Sequence, residues 1–302
     1  MKYFLYILST AGMRLLAYLP SRILYVIADL LWLILYFVAR YRRKTTTRNL
    51  QHAFPGWTKK KIAATRRKFY RHLGDLIVEN AVIQYYPQKR LERMFRFDNP
   101  ELLQQYFAQQ RNIIVITGHY NNWEWGAPFS YTFDYNIVGV YKPLHNKYFD
   151  KAYLDARSRF GAHVVTMDAV GRTLYEYKRR NIPTLTGMVG DQRPGRRRIR
   201  YWTTFMNQKT AVFTGTEKLA WKFDAVVIFM KVRKTRRGVY SAEFELITDR
   251  PGDTAENEIT ERHTRILENL ILEEPANWLW SHNRWKLSYE KWLELEKRDH
   301  ED

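Results

Sequence analysis

The chain contains no cysteine. That excludes disulfides, a thiolate nucleophile and Cys-ligated zinc, and it leaves the redox compartment undecided. Acidic residues are also scarce: 31 Asp and Glu stand against 50 Lys and Arg, a net charge of +19. Such an imbalance points to an anionic partner, which can be nucleic acid, a membrane surface, or a phosphorylated or acidic substrate. Internal repeats, low-complexity tracts and a glycine-rich phosphate loop are all missing, which removes repeat arrays and the P-loop nucleotide-binding motif. No recognisable nucleic-acid-binding module accompanies the charge either, so nucleic acid is not expected as a partner.

What is present is enough for one sizeable core: 302 residues, 45% hydrophobic. Ile23 to Ala39 is apolar apart from Asp29 and is flanked by Arg22 and Arg40. Seventeen residues is the short end for a membrane span, and Asp29 is costly at mid-bilayer unless paired. No small-x-small cleavage site comes after it. The stretch therefore reads as an anchor that spans the membrane or lies in its surface, with Arg40, Arg42, Arg43 and Lys44 holding the rest of the chain in the cytoplasm. An aromatic content of 16%, ten tryptophans included, suits a lipid interface. Residues 1–44 are expected to form the hydrophobic N-terminal anchor and residues 45–302 one domain.

Thr45 to Trp57 reads as a polar link ending in a Pro55-Gly56 turn. Thr58 to Val82 has helical spacing with Thr58 as N-cap, and Pro100 opens a helix over Glu101 to Gln110. Beyond these the chain alternates. Strands are expected at Ile113–Thr117, Asn136–Val140, Ala162–Thr166, Thr184–Val189, Val226–Lys231 and Tyr240–Leu246. Helices are expected at Lys147–Arg159, Gly171–Arg180, Lys218–Phe223 and Glu256–Glu273. This alternation predicts an α/β fold, a mostly parallel central sheet flanked by helices.

Ile113 to Thr117 is the pivotal stretch. Five β-branched residues in a row describe a strand buried on both faces. Gly118 stops it, and His119 comes next, where a parallel strand delivers side chains to a site. Glu124 lies five residues on. On a continuous helix the two would stand about 140° apart, so they cooperate only if the chain bends, with Asn121 or Asn122 capping a helix after the turn. In that arrangement His119 is a base and Glu124 the carboxylate that fixes its tautomer; otherwise His119 is an ordinary loop histidine. Tyr141-Lys142-Pro143, Arg157 with Arg159, Asp191-Gln192, and the aromatic run Pro275 to Lys286 are further polar stretches at predicted element ends. Arg196–Arg200 and Lys231–Arg237 read as solvated or headgroup-facing basic runs.

Several of these blocks together resemble one family. They are Gly118-His119-Tyr120-Asn121-Asn122-Trp123-Glu124, Tyr141-Lys142-Pro143, Arg157 with Phe160-Gly161, Asp191-Gln192, and Trp278-Leu279-Trp280-Ser281-His282-Asn283-Arg284-Trp285-Lys286. In this order, over about Asn49 to Lys286, they are similar to the lipid A late acyltransferases, the lauroyl and myristoyl transferases of the lysophospholipid acyltransferase superfamily. The Phe-Pro-Glu-Gly block of the glycerol-phosphate branch has no counterpart here. The resemblance implies an inner-membrane enzyme with its site on the cytoplasmic side, passing an acyl chain from acyl carrier protein to a hydroxyl of a lipid A precursor. It implies His119 as general base with Glu124 as partner, and Arg157, Asp191, Gln192, Lys142 and Asn122 as substrate-binding residues. Backbone N–H groups near Asn121 and Asn122, or Arg157, would meet the oxyanion. No metal or cofactor is expected, and with no Gly-x-Ser-x-Gly elbow no covalent acyl-enzyme either. Transfer to another membrane lipid, or a lipid-binding relative without catalysis, are the alternatives.

Overall fold

Ile113–Thr117 forms the expected strand, β2, and all five residues are buried. Successive side chains point to opposite faces. Ile113 and Val115 accordingly enter one apolar cluster, and Ile114 and Ile116 another. The computed structural model describes residues 2–126, 132–143 and 146–301, and in it β2 is the middle strand of a seven-stranded sheet. Its companions are β1 (Phe95–Phe97), β3 (Asn136–Tyr141), β4 (His163–Thr166), β5 (Thr184–Val189), β8 (Val226–Arg236) and β9 (Val239–Thr248). The order is β1-β9-β8-β2-β5-β3-β4. Only the β8–β9 pairing is antiparallel. The mostly parallel sheet expected from the alternation is what forms.

A two-stranded hairpin of β6 (Tyr201–Phe205) and β7 (Gln208–Val212) stands apart from this sheet. Its two-residue turn, Met206–Asn207, has positive φ at both positions, 51° and 59°, the geometry that matches strand twist in a tight hairpin.

Among the described residues the named α-helices are α1 (Lys2–Tyr18), α2 (Ser21–Leu33), α3 (Arg43–Ala53), α4 (Lys59–Val82), α5 (Gln88–Met94), α6 (Glu101–Ala108), α7 (Lys147–Ser158), α8 (Val170–Arg179), α9 (Gly215–Phe223), α10 (Glu258–Glu273) and α11 (Tyr289–Glu301). Thr58 caps α4 as expected, accepting from the Lys61 amide at 3.2 Å. The link expected over Thr45 to Trp57 is instead mostly α3. Its polar surface conceals a buried side containing Asn49 and Leu50, and the Asn49 amide donates to the carbonyls of Trp280 and His282 at 2.9 and 3.0 Å.

The apolar N-terminal segment runs through α2 into a π-helical turn, Ile34–Val38. Ser21–Val38, with a mean hydropathy of 1.8, is the one helix among the described residues long and apolar enough to cross a membrane. It packs against α4. A Cβ on Gly74 of α4 would lie 2.6 Å from the Ala28 carbonyl oxygen, so glycine lets the two backbones approach. Asp29, in the middle of α2, is paired with Arg71 of α4 at 3.1 Å and with Arg237 of the β8–β9 turn at 2.8 Å. Ile23, Val26, Leu30, Leu33, Ile34 and Phe37 remain exposed on the outer side.

Candidate active site

Two neighbouring strands decide where the chemistry sits. β2 and β5 are parallel and in register from Ile113–Leu185 to Thr117–Val189. His119 and Asp191 each stand two residues past the end of their strand, so they emerge side by side at the same sheet edge. At the exit, a Cβ on Gly118 would lie 2.6 Å from a methyl of Leu267 on α10, so a larger residue there would have to displace that side chain. The chain after it is clamped by the aromatic block near the C-terminus: Leu279 N–H donates to the His119 carbonyl at 3.1 Å, and Asn121 N–H to the Asn277 carbonyl at 2.9 Å.

Asp191 holds His119 twice, accepting from its backbone N–H at 3.0 Å and lying 2.5 Å from Nδ1. Burial alone would raise the Asp191 pKa. The attraction and hydrogen bond of His119, with Arg284 and the Trp278 indole, outweigh burial and hold the carboxyl well below its usual range. An ionised carboxylate only accepts, so the proton sits on Nδ1 and the Nε2 lone pair is left available. The Gln192 side-chain amide donates to Nε2 at 2.9 Å. Behind Asp191, Trp278 Nε1 donates to its Oδ2 at 2.7 Å, and the buried Arg284 donates to its carbonyl. Burial pushes the Arg284 guanidinium down to about 10, with Asp191 pulling it back up. Burial and then Arg284 likewise push His263 and His282 down to about 4, so both are neutral at pH 7.

Two expectations are corrected by this geometry. Asp191, not Glu124, hydrogen-bonds the imidazole. The reason is topological: the short turn Trp123–Gly126 carries Glu124 towards α7, where Arg157 contacts both carboxylate oxygens at 2.9 and 2.7 Å. Nor do the asparagines cap a helix. Asn121 sits at φ 52° with its side chain donating to the Val232 carbonyl at 2.8 Å, and Asn122 donates to Glu79 at 2.7 Å. The Asn121 N–H is spent on Asn277 and is not available to an oxyanion.

Beside the imidazole lies an apolar, partly open cavity. Val115, Ile137, Val138, Leu185 and Met230 line it, and Trp123, Glu124 and Arg157 stand at the end where the strands finish. The Trp123 ring meets the His119 ring edge-on at 4.6 Å, which joins cavity and base. Gly139 and Gly187, paired across β3 and β5, leave part of the wall without side chains. His119, Asp191, Gln192, Glu124 and Arg157 are therefore brought to one sheet edge. Lys142 is not at the base: it is exposed and comes after β3, two strands from β2. Trp278 and Arg284 carry direct contacts that the sequence indicated only as an aromatic block, and Glu79 carried no signal at all. Among the described residues no group of three or more His, Asp or Glu side chains is arranged to hold a metal ion.

Residues 1–287 match the family model of the bacterial lipid A biosynthesis acyltransferases. The chain is 24% identical over 291 residues to the lipid A biosynthesis lauroyltransferase of Escherichia coli strain K12, covering 94% of this chain and 92% of that one. With the lipid A biosynthesis palmitoleoyltransferase of the same strain it shares 23% over 259 residues, 81% and 79% of the two chains. A lipid A biosynthesis acyltransferase of Haemophilus influenzae is 26% identical over 149 residues, 49% of this chain and 46% of that one. A match that runs from the first residue through the Trp278–Lys286 block takes in the whole sheet and every residue around His119, and the protein belongs to the bacterial lipid A biosynthesis acyltransferase family, a family of O-acyltransferases.

Proposed function

We propose that this acyltransferase moves a fatty acyl chain from an acyl thioester on acyl carrier protein to a hydroxyl of a lipid A precursor, with His119 as the general base. The observation that carries the reading is an imidazole with an acid on Nδ1 and an Nε2 lone pair that meets only the Gln192 side-chain amide among the described residues, placed next to an apolar cavity. The acceptor hydroxyl takes the place of the Gln192 amide at Nε2. Its proton passes to Nε2 as its oxygen bonds to the thioester carbonyl carbon, and Asp191 stabilises the imidazolium. The resulting oxyanion collapses, the C–S bond breaks, and the thiolate sulfur takes the proton back from Nε2. Glu124 serves through Arg157, holding the guanidinium at the cavity mouth where the carbonyl oxygen gathers charge. The acyl chain lies in the cavity, whose apolar walls suit hydrocarbon. The basic surface serves an acidic carrier protein, a phosphorylated acceptor and anionic lipid. Arg40, Arg42, Arg43 and Lys44 support an inner-membrane location with the site facing the cytoplasm.

The test is transfer by the purified full chain from acyl carrier protein and from coenzyme A thioesters to a lipid A precursor, read by mass spectrometry. The expected product is heavier by one acyl chain, and His119→Ala should lower turnover about 10³-fold or more while the protein stays folded. Undiminished turnover by the alanine variant would remove His119 as the base. Product on a different membrane lipid only would remove the lipid A acceptor.

A further inference from the structure

A buried carboxylate lies beneath the catalytic loop and takes no part in the proton transfers. Glu79, on α4, is almost wholly buried. It accepts from Asn122 Nδ2 at 2.7 Å, Tyr240 Oη at 2.8 Å and Tyr25 Oη at 2.9 Å. An acid in such a place is expensive, and an apolar side chain of similar volume would often serve a helix interior better. Burial and the nearby Asp75 raise its pKa, while the three hydrogen bonds pull the other way. Something other than packing accounts for it.

We infer that Glu79 is a positioning residue for the acyl-transfer site: it fixes Asn122, and through Asn122 the short loop that joins His119 to Glu124. Asn122 is completely buried and is the one residue between His119 and Glu124 whose described side-chain bond goes to α4. The loop is pinned from three other sides, by Asp191 on His119, by Val232 on Asn121, and by the 277–279 segment on the backbone. Without Glu79 the Asn122 amide would be left buried and unpaired, so the loop would shift to satisfy it. A displacement of about 1 Å at such a site costs roughly 100-fold in rate. Tyr25 ties α2 to the same carboxylate. It can do so because Gly238 leaves room, a Cβ there lying 2.8 Å from the Tyr25 ring carbon that bears the hydroxyl. The docked N-terminal helix thus helps to hold the catalytic loop.

The inference rests on His119 being the base, and the experiment separates the two. Glu79→Leu, Glu79→Gln, Asn122→Asp and the double variant Glu79→Gln/Asn122→Asp are assayed with the full chain beside His119→Ala, reading kcat, KM and Tm. Glutamine keeps an acceptor for Asn122 and Tyr240 and offers Tyr25 a donor, so Glu79→Gln should stay within about 5-fold of the wild type. Glu79→Leu should lose about 10- to 100-fold in kcat at temperatures well below its Tm, with KM little changed. Asn122→Asp sets two carboxylates face to face and should lose as much, and adding Glu79→Gln restores a donor–acceptor pair and should recover about 10-fold. Should Glu79→Leu fail to fold, that recovery alone decides. Full turnover in folded Glu79→Leu, or no recovery in the double variant, overturns the inference. An active His119→Ala in the same assay would instead overturn the assignment of the base.

Discussion

At the scale of residues, the arrangement around His119 makes Asp191 the group whose charge matters most. In Asp191→Asn the side-chain amide can turn its NH₂ towards Nδ1, which would place the ring proton on Nε2 and remove the base. We expect kcat to fall about 10³- to 10⁴-fold with little change in KM. Glu124→Gln keeps a hydrogen bond to Arg157 but not the charge, and should cost about 10- to 100-fold. The reverse ranking would return the partner role to Glu124. Stability depends on the same carboxylate. Its folded pKa is depressed, so its contribution is present above the unfolded value of about 3.9 and is lost as pH falls through the folded one. Thermal unfolding of the wild type should therefore decline more steeply below about pH 4 than that of Asp191→Asn. His119, Asp191 and Gln192 were all legible in the sequence, but their pairing was not. Sequence proximity favours the acid five residues away, whereas parallel strand register joins an acid 72 residues away. The one available clue was that both residues stand two positions past a predicted strand.

At the scale of elements, the cavity owes its shape to β3 and β5. Gly139 and Gly187 are register partners, and neither is forced by packing. A Cβ at either would find its nearest neighbour at 3.9 or 4.0 Å, an ordinary contact. Glycine weakens a strand, so its presence here serves the space in front of it. Gly139→Ala and Gly187→Val should fold at least as stably as the wild type while filling the cavity wall. Each should lower kcat/KM for the longest accepted acyl donor by about 10-fold or more and spare donors shorter by two to four carbons, since one methylene in an apolar pocket is worth about 1–3 kcal/mol. A uniform loss at every chain length would place the acyl chain elsewhere. The elements that build this cavity are those most visible in the sequence, because buried parallel strands read as unbroken apolar runs. Less visible were α3, whose single buried face is too narrow to show through its polar residues, and the β6–β7 hairpin. The turn of that hairpin puts Met206 at positive φ, where a reader looks for glycine or asparagine.

At the scale of the whole molecule, we expect the N-terminal segment to meet the bilayer, and its length does not decide how. Residues 22 to 39 span about 27 Å as a helix, close to the hydrocarbon thickness. Its partners do decide. Asp29 is tied to Arg71 and Arg237, and Arg237 in turn to Asp75, which also binds Lys234. Were α2 to cross the membrane while docked, this whole set of charges on α4 and the β8–β9 turn would have to enter the bilayer with it, a cost no single exposed apolar face offsets. Lying in the interface, α2 and the turn after it would bury Ile23, Val26, Leu30 and Phe37 among acyl chains and keep Asp29 and its partners on the protein side. In that arrangement the site edge would stay attached to the leaflet that holds its lipid substrate. The chain's lack of cysteine makes the prediction easy to read. Arg22→Cys and Ala39→Cys, one at each end of the helix, should both react with a membrane-impermeant maleimide applied to inside-out inner-membrane vesicles, and neither should react from the periplasmic side of intact spheroplasts. Labelling of one position from each side would mean a spanning helix, and with it an Asp29 released from Arg71 and Arg237.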